Sequence, residues 1–106
     1  MPINRELDFE RFRSPGVRVY AGRDRGRDVR RSADLDSLDR DETMVIVQIP
    51  DDTYSVNSSF FLGLFGPSIR KLGEEHFRAK YHFHGRDISR TIEACIAEAL
   101  NTSSPI

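Results

Sequence analysis

The chain reads as a small α/β domain: a mixed, mostly parallel sheet of about four strands with helices packed mainly on one face. Three observations predict it. Met44-Val-Ile-Val-Gln-Ile49 is a nearly unbroken apolar run, which is how a central strand covered on both faces reads. Phe61, Leu64, Phe65, Ile69 and Leu72 then recur at helical spacing and form one apolar stripe. After a second strand-like stretch, Ile88, Ile92, Cys95, Ile96 and Ala99 repeat that spacing. Two strands flanking a helix, followed by another helix, argue for parallel right-handed crossovers.

Leu7, Phe9 and, one step out of register, Phe12 suggest a half-buried first strand. Ser14-Pro15-Gly16 supplies turn chemistry, so Val17–Ala21 is expected to return antiparallel and complete a hairpin. From Gly22 to Asp34 only Val29 and Ala33 are apolar, which predicts a short, mostly solvated helix. Arg23, Arg25, Arg27, Arg30 and Arg31 then lie on a wet face with aspartates nearby. Leu35–Leu38 adds a half-buried turn, and residues 39–43 read as a charged loop.

Pro50 ends the central strand because it has no N–H for a ladder. The loop from Asp51 to Asn57 delivers Ser58 and Ser59 to the start of the long helix. Pro67 would crowd the carbonyl four residues back, but that residue is Gly63, so a bent, single helix is expected. Gly73 suits the position after a helix end, with Arg70 and Lys71 in the last turn. Glu74–Ala79 reads as a connector or helical turn. In Lys80–His84, Tyr81 and Phe83 alternate with His82 and His84, which predicts a strand near a sheet edge. Asp87 caps the final helix, which Asn101 ends; residues 1–101 then form one domain and 102–106 a flexible tail.

At 106 residues there is room for one core, and 16 basic against 17 acidic side chains leave no global field for nucleic acid or an anionic membrane. The longest apolar run, Phe60 to Pro67, is too short to span a bilayer, and the charged first ten residues do not read as a signal sequence. Cys95 is the only cysteine, so no internal disulfide forms; the expectation is a cytoplasmic protein with Cys95 as a buried small hydrophobe.

At the helix entrance, Asn57 or Ser58 is expected to cap the first turn, while a neighbouring serine is free to accept phosphate or face a partner. The arginines at Arg23, Arg25 and Arg27 offer an alternative, a small-molecule or anion site at the same entrance. His82 and His84 share a strand face and His76 is a conceivable third ligand, yet no Cys or carboxylate cluster joins them, and an ordinary exposed face is the stronger reading. No metal or other cofactor is expected. Nucleophile-elbow, phosphate-loop and dinucleotide fingerprints are absent, so the expectation is not an enzyme.

Asp52-Thr53-Tyr54, Ser58-Ser59-Phe60, Phe65-Gly66 and Leu72-Gly73 together resemble the STAS-like domain family of unknown function. Pro15-Gly16-Val17-Arg18 and the segment from Gly22 to Arg30 look similar to its earlier motifs. The resemblance implies a STAS-like fold akin to bacterial anti-sigma factor antagonists, regulatory proteins in which a kinase phosphorylates a serine at a helix start. On that likeness Ser59 is the phosphoacceptor and Ser58 the second candidate, with Asn57 standing for the usual Asp and Phe60 for the usual Gly. A protein partner, such as a serine kinase or an anti-sigma-like regulator, would bind a loop that includes Asp52, Thr53, Tyr54, Asn57 and Phe60.

Overall fold

The computed structural model describes residues 4–13 and 15–102 and has the α/β, parallel-stranded architecture expected. The strands divide into two sheets rather than one of about four. In the larger sheet β1 (Asn4–Asp8), β3 (Met44–Ile49) and β5 (Tyr81–Gly85) run parallel in the order β1-β3-β5. In the smaller, β2 (Val19–Tyr20) pairs parallel with β4 (Ser55–Val56).

β3 is central, as its apolar run predicts, but it is not covered on both faces. Val45, Val47 and Ile49 are buried, while Met44, Ile46 and Gln48 are half-buried and lie outside the core cluster. The second face therefore carries the cross-strand rows Glu6-Ile46-His82 and Asp8-Gln48-His84. β5 is an edge strand, as expected, with β3 as its pairing partner.

The expected antiparallel hairpin is not present. β1 begins and ends earlier than Leu7–Phe12 and pairs with β3, and Phe9–Phe12 winds into a 3-10 turn whose Glu10 N–H donates to the Asp8 carboxylate at 3.0 Å. β2 pairs with β4 instead. Core packing explains the change: the Tyr20 ring lies 5.1 Å from Phe9 and 5.5 Å from Phe60, and its hydroxyl donates to the Phe9 carbonyl at 2.9 Å. That cluster holds β2 against the helix that follows β4, and Phe12 breaks the period of a longer first strand.

Helix α1 (Arg23–Ala33) leads through Asp34, in the left-handed region at φ 54°, into the short α2 (Leu35–Leu38). α1 is solvated along one side, as expected, but Arg30 is not on that side; it is buried together with Gly26 and Val29. Leu35 is fully buried, more deeply than a half-buried turn. Helix α3 (Ser58–Leu72) is the centre of the molecule and is buried almost all round from Phe60 to Ile69, so the single expected stripe understates its role. It remains one helix through Pro67, and Gly73 at φ 81° closes it with its N–H on the Ile69 carbonyl at 2.8 Å.

Helix α4 (Glu74–Lys80) occupies the expected connector and takes in Lys80, so β5 begins at Tyr81 rather than at Lys80. α5 (Ser89–Thr102) starts where Asp87 accepts the Ser89 N–H at 2.9 Å, and buries Cys95, Ile96 and Ala99. It extends one residue past Asn101; the rest of the expected tail, residues 103–106, lies outside the described residues, as does Ser14 of the expected turn. No helix among the described residues is long and apolar enough to cross a membrane.

Candidate functional site

The small β2–β4 sheet determines what surrounds the long helix's entrance. Because the strands are parallel and each leads within a few residues into a helix, the starts of α1 and α3 lie side by side at the same end of the sheet. The Tyr54 and Asn57 N–H groups donate to the carbonyls of Arg18 and Tyr20 at 2.7 and 2.8 Å, tying the loop to β2.

Within the loop the side chains divide sharply. Asp52 receives the Arg13 guanidinium at 2.9 Å, and Arg13 also reaches Glu10 at 2.7 Å, so the loop is joined to the 3-10 turn. These two carboxylates hold the Arg13 pKa above its ordinary value. Tyr54 projects into solvent with 77% of its surface exposed. Thr53 is buried, and its hydroxyl has no hydrogen-bond partner among the described residues. Phe60 is 1% exposed inside the Phe9 and Tyr20 cluster, so it belongs to the core and not to a partner-binding surface.

Asn57 occupies the N-cap position with extended backbone, φ −71° and ψ 150°, but the expected side-chain cap bond is not made. Its carbonyl accepts the Phe61 N–H at 3.0 Å, as the first helical bond requires. Ser58 is exposed and Ser59 half-buried. Among the described residues neither serine side chain hydrogen-bonds to a histidine or carboxylate, the arrangement nucleophilic activation would call for. Cys95 lies behind the entrance with its thiol 3.7 Å from the Ser58 carbonyl, and burial pushes that thiol's pKa up.

The three arginines of the alternative reading separate. Arg23 opens α1 and is exposed beside the α3 entrance. Arg25 turns away to donate to the Phe12 carbonyl at 3.1 Å, and Arg27 pairs with Asp24 at 3.4 Å. His82 and His84 share one face of β5, as expected, with His82 bonded to the Ala79 carbonyl at 2.8 Å and His84 exposed in the next row, while His76 lies on α4. No group of three or more His, Cys, Asp or Glu residues among those described is placed to hold a metal ion.

Two features escape a reading by local pattern. The first is a buried polar cluster under α3. The Arg30 guanidinium donates to the Leu64 carbonyl and Ser68 hydroxyl at 2.8 Å, to Asp36 at 2.7 Å and to Asp39 at 3.2 Å, while the Ser68 and Tyr81 hydroxyls donate to the same Asp39 carboxylate. Arg30 holds the Asp36 carboxyl below its usual range, and burial drives the Tyr81 hydroxyl well above its own. Only Ser68 within an apolar helix hinted at it, since the partners come from separate elements. The second is the exposure of Val17 and Val19, 43% and 40%, flanking the Arg18 carbonyl to which Tyr54 is bonded. Read as one face of a hairpin strand, they signalled burial instead.

No family model, curated protein or solved structure matches this chain.

Proposed function

We propose that this chain is a non-enzymatic, cytoplasmic regulatory module that binds a protein partner through the Asp51–Ser59 loop and the adjoining β2 strand. The observation that carries this reading is the position of the large exposed apolar side chains. Among the described residues these are Val17, Val19 and Tyr54, and the main-chain bond from Tyr54 to Arg18 sets the loop that carries Tyr54 beside the segment that carries the two valines. Large apolar side chains left in water on adjoining segments are a common mark of a protein contact surface.

A phosphorylation switch fits the same entrance. The first-turn amides of α3 receive no side-chain cap from Asn57, and Ser58, the first residue of the helix, is exposed. A phosphoryl group there would gain from the helix dipole while reversing the local charge that a partner meets. Exposure favours Ser58 as the acceptor, whereas the likeness to anti-sigma factor antagonists favours the half-buried Ser59. The anion-site alternative draws less support, because Arg25 and Arg27 are already engaged by the chain's own acceptors.

The test is affinity capture from a lysate of the source cells with wild type, Tyr54→Ala, Ser58→Asp and Ser59→Asp proteins side by side. A specific partner held by wild type, lost with Tyr54→Ala and released by one of the aspartates supports the switched module. A partner retained by all four moves the contact off this loop.

A further inference from the structure

We infer that the outer edge of β2 takes up an extended segment of the partner as an added strand, of the pattern apolar, acidic, apolar. The inference rests on the partner-binding reading above and names the kind of partner surface. Its basis is the direction of the main-chain groups. The carbonyls of Arg18 and Tyr20 accept N–H groups of Tyr54, Ser55 and Asn57 and so point toward β4. Successive residues of a strand alternate, so the N–H and C=O of Val19 point the other way, and the same alternation continued back through Arg18 turns those of Val17, which precedes the strand, outward as well. No described residue pairs with the main chain of either.

Every sheet has edges, and this one, though short, is lined by exposed apolar side chains. The outer strands of the larger sheet carry Asn4, Arg5 and Glu6 on β1 and His82 and His84 on β5, polar side chains that discourage strand addition. β2 carries Val19, and Val17 lies two residues before it; both are exposed β-branched residues suited to a cross-strand pair. Unpaired amides and carbonyls select an extended backbone as occupant, and the two valines select apolar side chains at alternate positions. Between them Arg18 is exposed without an ion-pair partner among the described residues, which selects an acid at the intervening position. Val19 can also lose its N–H without cost to the β2–β4 ladder, since that group points outward.

The probe is a phage-displayed library of linear peptides selected on the full chain, the best binder then being synthesised. Amide hydrogen exchange of the isotope-labelled protein is followed with and without that peptide. The expected result is a peptide with the predicted alternation that slows exchange at Val17 and Val19 by roughly tenfold or more, the scale of one added hydrogen bond. Val19→Pro should weaken its binding by a similar factor with the fold retained, and the exchange measurement on wild type stands if that variant fails to fold. Binding that leaves both amides unprotected overturns strand addition. So does a library that yields no binder. In either event the Tyr54-dependent capture experiment still decides the broader reading, because it does not depend on the β2 edge.

Discussion

Gly26 of α1 and Gly63 of α3 are reciprocal contacts of one helix crossing. A Cβ on Gly26 would lie 2.2 Å from the Phe60 carbonyl oxygen, and a Cβ on Gly63 would lie 2.2 Å from that of Arg23. Each glycine thus admits the other helix's main chain to a distance no side chain allows. Gly63→Ala and Gly26→Ala are each expected to destabilise the fold by about 3 kcal/mol or more, toward the upper end for overpacking against rigid backbone. Denaturant unfolding checks this. The double variant should cost less than the sum, since one displacement of α1 relieves both clashes.

Arg30 supports the buried Asp39 carboxylate beneath α3, where Ser68 and Tyr81 complete its hydrogen bonds. Arg30→Met should cost about 3–5 kcal/mol, because it leaves a buried charge without its partner. Arg30→Met combined with Asp39→Leu should recover part of that loss by removing both charges. Urea midpoints of the three proteins decide the matter, and a double variant no better than the single would mean that the hydroxyls, not the ion pair, dominate.

Burial pushes the Tyr20 hydroxyl up from its usual value near 10 to about 12. The folded state therefore holds its proton more tightly than the unfolded state. The stabilisation is complete below the unfolded value of about 10 and is lost as pH rises through about 12. Tyr81 shifts in the same direction, so unfolding free energy should decline steeply on the alkaline side. Tyr20→Phe should flatten part of that decline while costing about 1 kcal/mol at neutral pH for the lost bond to the Phe9 carbonyl.

Tyr54 and Phe60 belong to one sequence stretch but should respond oppositely. Tyr54→Ala is expected to change stability by less than about 0.5 kcal/mol because the ring is in water. Phe60→Ala should cost about 3–5 kcal/mol because it empties the centre of the Phe9 and Tyr20 cluster. Thermal unfolding separates them, and partner capture should be lost with Tyr54→Ala alone at temperatures where both remain folded.

Ser58→Asp places a negative charge on the first residue of α3, at the positive end of the helix dipole. A gain of about 0.3–1 kcal/mol is expected, diminishing with added salt. A loss of stability instead would mean that phosphate at this position disrupts the helix start rather than merely altering what the surface attracts.

The order and kind of most elements were written in local pattern. Met44–Ile49 as a central strand, Ser58–Leu72 as a helix continuing through Pro67, Asp87 at the start of the last helix and the edge strand at Tyr81 all follow from side-chain period and backbone chemistry within a few residues. Pairing was not so written. Val17–Ala21 has the alternation of a hairpin partner, and only the demand of Tyr20 for a place between Phe9 and Phe60 sends β2 to β4. The same distinction runs through the candidate site: Ser58 at a helix entrance is legible in sequence, while the burial of Phe60, the burial of Arg30 and the exposure of Val17 and Val19 are decided by what the other elements cover. Local period records how a segment folds back on itself, but which face it buries is a property of the neighbours it meets across the core.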